Sequence, residues 1–305
     1  MDKAYIDAVK LMLHIAPDVF EGNPFALKGG TAINLFVREM PRLSVDLDLV
    51  YVHRDTPRQT ALEEISASLQ SIAHRLEKAG LSTRKVGNTE MGDTKLLIDQ
   101  GTTMVKIEVN TVLRGTVHPV ASRPLVHAAS ERFMAELSVP VLSDAELYGG
   151  KLVAALDRQH PRDFFDVREM FLAGHFNPGV VDCFVCYLAG HNRTVHDVLF
   201  SRDKKLSAFF EEQFVGMTDR PVSVGELEQA RADLRNTLGA HLQDRHKRFL
   251  LGLVRLEPEW DLLPFPHLRE MPALKWKILN LENLKRRNPK RFKLQSTELA
   301  RYFGE

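Results

Sequence analysis

Apolar and polar positions along the chain follow two periods, and the switch between them outlines the elements. Over residues 3–15, Ile6, Val9 and Leu13 fall on one side of a helix. From about 58 to 79, Leu62, Ile65, Leu69, Ile72 and Leu76 recur every three or four residues, and Gly80 stands where a C-terminal cap belongs. Between these helices residues 44–52 alternate, with Val45, Leu47 and Leu49 against Asp46, Asp48 and Val50, which predicts a strand. Ahead of that strand, Phe25-Ala26-Leu27 leads into Lys28-Gly29-Gly30. There Thr31 caps or opens a short helix through Leu35 and Phe36, and Pro41 stops it. Three β-prone stretches come next, at 81–86, 94–99 and 102–112, with Gln100-Gly101 as the turn between the last two. In the third, Lys106, Glu108 and Asn110 share one face and Val105, Ile107 and Val109 the other.

After a polar, proline-containing loop at 114–124 the character becomes helical. Ser143-Asp144-Ala145-Glu146 has the form of a capping box and starts a helix carrying Leu147, Lys151, Leu152 and Ala155. Pro161 interrupts, and Arg162-Asp163-Phe164-Phe165-Asp166-Val167 opens another helix through about Leu172. Helices and short loops alternate from there to segments at 275–285 and 296–303. The order predicts an α+β fold: a mixed β-sheet core with helices over residues 1–135, then a mainly α-helical C-terminal domain over 136–305.

Composition narrows the class. The chain has 305 residues, 44% hydrophobic and 27% charged, which suits a soluble globular protein of about two domains. No apolar run approaches the ~18 residues of a membrane span. The start, Met1-Asp2-Lys3-Ala4-Tyr5, lacks the basic-then-apolar layout of a signal peptide, so a cytoplasmic location without membrane contact is expected. The net charge of +1 hides an uneven distribution, because residues 267–305 hold ten Lys/Arg against four Glu. Such an end meets nucleic acid or forms a solvated helix face. Cys183 and Cys186 form a C-x-x-C near His175, His191 and His196, which raises zinc. A structural zinc site needs four regularly spaced ligands, whereas this segment reads as an apolar helix with two small buried thiols.

The candidate chemistry gathers around the first strand. Asp46 and Asp48 point to the same face, roughly 7 Å apart at Cα. At an effective dielectric near 20, bare charges at that distance repel by about 2.4 kcal/mol. A hard divalent cation between them relieves this, and oxygen-only donors suit Mg²⁺. Glu108, mid-strand in apolar surroundings, is the natural third carboxylate; the plainer reading is a salt bridge to Lys106. Backbone N–H groups of Gly29 and Gly30 at a helix start favour phosphate, with Thr31 or Ser44 adding a hydroxyl and Lys28 a charge. No Gly-Lys-Ser/Thr follows, which excludes a Walker loop. Further on, Lys151 could neutralise triphosphate charge, with Asp166 the next candidate. The plainer account of Arg158, Arg162, Asp163 and Asp166 is an ion-pair set that fixes two helices together. The twelve histidines show no H-E-x-x-H pairing, and Ser143 lies in no nucleophile elbow. Trp276, Tyr302 and Phe303, at helical spacings, read as packing.

Taken in order, LKGGTAINLF, RLSVDLDLVY, VKIEV and YGGKLVAALDRQHPRDFFDV, which together run from Leu27 to Val167, resemble the AbiEii/AbiGii toxin family of polymerase-beta-like nucleotidyltransferases. The resemblance maps a first motif onto Gly29, Gly30, Ser44, Asp46 and Asp48, and a second onto Lys106 and Glu108. A third maps onto Lys151, Arg158, Arg162, Asp163 and Asp166. It implies an Mg²⁺-dependent nucleotidyltransferase and a toxin–antitoxin setting, with a nucleotide passing from an NTP to an RNA acceptor such as tRNA. In that scheme Asp46, Asp48 and Glu108 hold the metal. Lys28, Gly29, Gly30, Thr31, Ser44, Arg158 and Arg162 bind the NTP, and Lys151 and Asp166 complete the catalytic set. Alternatives are the same chemistry on a small antibiotic-type molecule, or a non-catalytic NTP-binding module. No motif matches after about His175.

Overall fold

The computed structural model describes residues 1–88 and 93–304. The chain divides into two compact units: Met1–Leu147 with Phe214–Pro221, and Tyr148–Gln213 with Val222–Glu305. Where the sequence suggests a division at 135/136, packing divides the chain after Leu147, and a short return belongs to the first unit.

The first unit is built on one mixed seven-stranded sheet. Its strands are β1 (Phe25–Lys28), β2 (Asp46–Tyr51), β3 (Ser82–Asn88), β4 (Asp93–Gln100), β5 (Thr103–Asn110), β6 (Ala121–Pro124) and β7 (Ser138–Val141). Their spatial order is β3-β4-β5-β2-β1-β7-β6. β2 runs parallel to β5 and β1 parallel to β7, while the other neighbours are antiparallel. Helix α1 (Lys3–Phe20) continues through Pro17 beyond the expected end, because its buried stripe runs on through Val19. Helix α3 (Arg58–Lys78) buries Leu62, Ile65, Leu69, Ile72 and Leu76, the predicted stripe.

Three strands escape the sequence pattern. β1, β6 and β7 are four residues each, too short for alternation to register. β6 lies at the edge of the sheet, which is where its Pro124 is tolerated. The hairpin turn also moves by one residue. Gln100 pairs with Thr103, so Gly101 and Thr102 form the turn, with Gly101 at φ +62°. Short helix α2 (Gly29–Ala32) passes into a π-helical turn at Ile33–Val37 and ends before Pro41. Helix α4 (His127–Phe133) precedes β7.

Helix α5 (Asp144–Arg158) begins in the first unit. Ser143 Oγ accepts the Glu146 N–H at 3.3 Å, as a cap should. The buried Glu146 carboxylate accepts the N–H groups of Val117 and His118 at 2.6 and 3.0 Å, which ties the preceding loop to the helix start.

The second unit is helical: the rest of α5, then α6 (Pro161–Leu172), α7 (Pro178–Ala189), α8 (Val195–Leu199), α9 (Ser207–Gln213), α10 (Val224–His241), α11 (Asp244–Arg255), α12 (Pro272–Arg287) and α13 (Pro289–Phe303). Pro161 starts α6 rather than only breaking α5, with His160 accepting the Arg162 N–H as its cap. Cys183 and Cys186 are buried on apolar α7. On the same helix Asp182 accepts from Nε2 of buried His246 at 2.8 Å and pairs with Arg245 at 2.7 Å, so this histidine is a satisfied core group. Gly149 brings α5 against α7: a Cβ there would sit 2.7 Å from both Cys183 Cβ and the Phe184 nitrogen. Gly149→Ala should therefore overpack that crossing and cost about 1–3 kcal/mol, read from urea unfolding of the full chain.

Candidate active site

Strand register assembles the first-unit residues into a charged row. Lys28 on β1 lies opposite Asp48 on β2, Asp48 opposite Glu108 on β5, and Glu108 opposite Lys95 on β4. One step back along β2, Asp46 lies opposite Lys106. Neighbouring strands are ~4.8 Å apart, so these side chains meet on one face of the sheet. On the other face Leu47, Leu49, Ile107 and Val109 are buried, which fixes the register: a one-residue slip would drive the charges into the core.

The glycine pair sits directly on this row. Gly29 has φ +75°, and a Cβ there would collide with the Asp48 carboxylate. A Cβ on Gly30 would meet Arg42 Nη2 at 2.6 Å and Ser44 Oγ at 3.0 Å. Both positions demand glycine, the first for conformation as well as space. Thr31, fully buried, donates its hydroxyl to the Asp46 carbonyl oxygen at 2.5 Å and lies 3.0 Å from Ser44 Oγ. Its hydroxyl thus locks the glycine turn to the start of β2.

Charge balance within the row is uneven. Lys106 Nζ lies 3.0 Å from Glu108 and 3.8 Å from Asp46, and Lys95 Nζ lies 3.3 Å from Glu108. Burial is the strongest single influence on the Lys106 ammonium and lowers its pKa. Asp46, Glu108 and Asp48 together overcome it and hold the group above its ordinary value. Asp48, half-buried, makes no hydrogen bond or ion pair among the described residues. Glu108 is thus committed to two lysines, and among the described residues no three His, Cys, Asp or Glu side chains converge as a metal-ligand group. Asp46 and Asp48 remain as a pair of hard oxygen donors on one strand face, a donor set that fits a divalent cation.

The helical unit holds a second cluster. Lys151 Nζ bridges Asp163 at 3.0 Å and Asp166 at 2.8 Å, and Arg158 grips Asp163 with two N–H groups at 2.8 and 3.0 Å. Lys151, Asp163 and Asp166 are at most 5% exposed. Burial acts most strongly on Asp163 and pushes its pKa up, yet Lys151 and Arg158 reverse this and hold it well below the carboxylate range. The cluster pins α5 to α6. Arg162 is half-buried, with its Nε 3.4 Å from Nδ1 of His160.

Residues 10–278 match the family described as nucleotidyl transferase AbiEii toxin, type IV toxin–antitoxin system. The chain belongs to the AbiEii family. It is accordingly a nucleotidyltransferase of the toxin type. MenT4, a nucleotidyltransferase toxin from Mycobacterium tuberculosis H37Rv, has the same fold at a TM-score of 0.58 and 17% identity, over 92% of this chain and 94% of that one. No curated protein matches the chain. Among the described residues, no helix is long and apolar enough to cross a membrane.

Two residues of this AbiEii site escape sequence reasoning. Arg42, buried beside Gly30 and Ser44, donates to the Leu43 carbonyl at 2.8 Å. Its signal was a lone arginine just before the Ser-x-Asp-x-Asp strand. Lys95 is legible only once the antiparallel register of β4 and β5 is known. Gly29→Ala should displace the Asp48 carboxylate and cost activity on the order of a hundredfold. Stability should fall by only about 1–2 kcal/mol, so parallel activity and urea-unfolding measurements separate the two effects. The Lys106 ion pairs stabilise the fold below the ordinary lysine pKa of ~10.4 and are lost as pH rises through the higher folded value. The melting-temperature gap between wild type and Lys106→Met should therefore hold steady through neutral pH and close only in strong alkali.

Proposed function

We propose that this AbiEii protein transfers a nucleotide from an NTP to an RNA acceptor such as tRNA, with Mg²⁺ held by Asp46 and Asp48. The observation that carries the reading is Asp48, a half-buried carboxylate that makes no hydrogen bond or ion pair among the described residues and is pressed against a glycine in left-handed conformation. A divalent ion bound there would offset phosphate charge and make the acceptor hydroxyl a better nucleophile. Glu108 stands beside Asp48 and, with Lys95 and Lys106, sets the local charge.

The remaining work belongs to the chain's own groups. The Gly29 and Gly30 backbone, the Ser44 hydroxyl and the Lys28 ammonium hold and orient the triphosphate. Lys106 keeps its proton at neutral pH and supplies a fixed positive charge beside the carboxylates. With the α-phosphate held in line, the acceptor oxygen forms the new P–O bond, the bond to the β-phosphate oxygen breaks, and pyrophosphate leaves. Arg158 and Arg162 enter the proposal as further cations for the triphosphate. Lys151 and Asp166 enter as the motif whose ammonium is held in place by two aspartates. The basic stretch at 267–305 favours RNA over a small molecule as acceptor. The family's setting implies a cognate antitoxin, and the proposal places the reaction in the cytoplasm.

Labelled NTPs incubated with total tRNA and, separately, with an aminoglycoside panel test the reading. Label should pass to RNA in a Mg²⁺-dependent way, and Asp48→Ala should abolish transfer while leaving circular dichroism unchanged. Undiminished transfer by a folded Asp48→Ala protein would rule out the assignment, and label on the aminoglycosides alone would replace the acceptor.

A further inference from the structure

The helical unit carries a cavity that the nucleotidyl-transfer site does not use. It measures about 280 Å³ and is lined by Trp276, Lys277 and Asn280 from α12, Arg291 and Gln295 from α13, and Asn192 from the loop after α7. Two cations and no carboxylate line it. Gln295 is 6% exposed, yet its amide makes no hydrogen bond among the described residues, although it borders the cavity. Lys277, also 6% exposed, donates to the carbonyls of His191 and Arg193 at 2.8 and 2.7 Å. That leaves one N–H of its ammonium uncommitted, and burial alone pushes its pKa down to about 8. Trp276, which the sequence reads as packing, is 38% exposed. On the same two helices Lys275, Lys285, Arg287, Lys290 and Lys293 are all exposed.

From this arrangement we infer that the α12–α13 cavity holds one nucleotide of a single-stranded RNA segment, with the exposed cations of the same two helices on its backbone. The inference rests on the proposed RNA acceptor and names where the helical unit grips it. Each feature answers one part of a nucleotide. An indole offers a stacking face to a base, and the amides of Gln295, Asn280 and Asn192 offer donors and acceptors to a base edge. Arg291 and Lys277 offer N–H groups to a phosphate. The volume, near the lower limit of about 300 Å³ for ligand pockets, admits one nucleotide and not a folded segment. An acidic peptide would account for the cations but not for an indole and three side-chain amides grouped beside them. A free nucleotide would leave the flanking cations without a role.

The test uses the full chain and a fluorescent single-stranded RNA oligonucleotide, with anisotropy read in the absence of NTP. Trp276→Ala and Gln295→Leu should each weaken RNA binding by about five- to a hundredfold. In the transfer assay the change should fall in KM for RNA rather than in kcat. Arg291→Glu, an exposed position where folding is not at issue, should weaken binding and flatten its salt dependence. If wild type labels RNA but all three variants bind it as wild type does, the cavity assignment is overturned and the proposed function stands. If wild type binds RNA through these residues yet labels none, the proposed function fails and the cavity assignment stands. Wild type that neither binds nor labels RNA overturns both. A free mononucleotide that binds as tightly as the oligonucleotide, with the same sensitivity to the variants, overturns the RNA assignment.

Discussion

Two carboxylates side by side across a parallel strand pair are an expensive arrangement, and much of the first unit is organised to tolerate it. Like charges opposite one another destabilise a sheet by a few tenths of a kcal/mol to about 1 kcal/mol. Asp48 and Glu108 are such a pair, fixed by the β2–β5 register, with Lys28 beyond one and Lys95 beyond the other. Lys106 reaches back from its own strand to Glu108 and Asp46. What the lysines leave uncompensated is concentrated on Asp48, and the left-handed glycine beside it makes room for that carboxylate. A fold that strands negative charge at one half-buried point is set up to receive positive charge there.

The helical unit handles buried charge in the opposite way. Lys151, Asp163, Asp166 and Arg158 satisfy one another, and three of the four are enclosed. Buried ion pairs of this kind add little net stability, but removing one partner strands the other in a low-dielectric interior. Both readings of these residues, structural and catalytic, start from the same geometry: an ammonium whose position is fixed by two aspartates on the next helix.

How much was legible in the sequence follows from what each element encodes locally. The long helices announce themselves because their stripes repeat several times, as α3 does from Leu62 to Leu76. β2, β4 and β5 are visible through alternation, and with them the common face of Asp46 and Asp48 and that of Lys106 and Glu108. β1 and β7 are too short to show a period and are central only because other strands flank them, a fact written in the topology and not in the residues. The row that includes Lys95 is likewise a product of long-range register. The pairing of Glu108 with Lys95 depends on a strand register that no local window contains. Gly29 is a different case. Its side-chain-free position is visible as a letter, but the reason for it, the Asp48 carboxylate on another strand, is visible only in three dimensions.

The path of the chain has a consequence for how the protein comes into being. Segment Phe214–Pro221 returns to the first unit after all of α5–α9 has been laid down. Once there, Asp219 binds the Met1 ammonium at 3.1 Å and Arg132 at 2.9 Å, Gly216 accepts the Asp2 N–H at 2.7 Å, and Met217 accepts the Leu43 N–H at 2.8 Å. During synthesis these four contacts can form only after Pro221 has left the ribosome. A polypeptide cut short anywhere in the first helices of the second unit lacks this clasp.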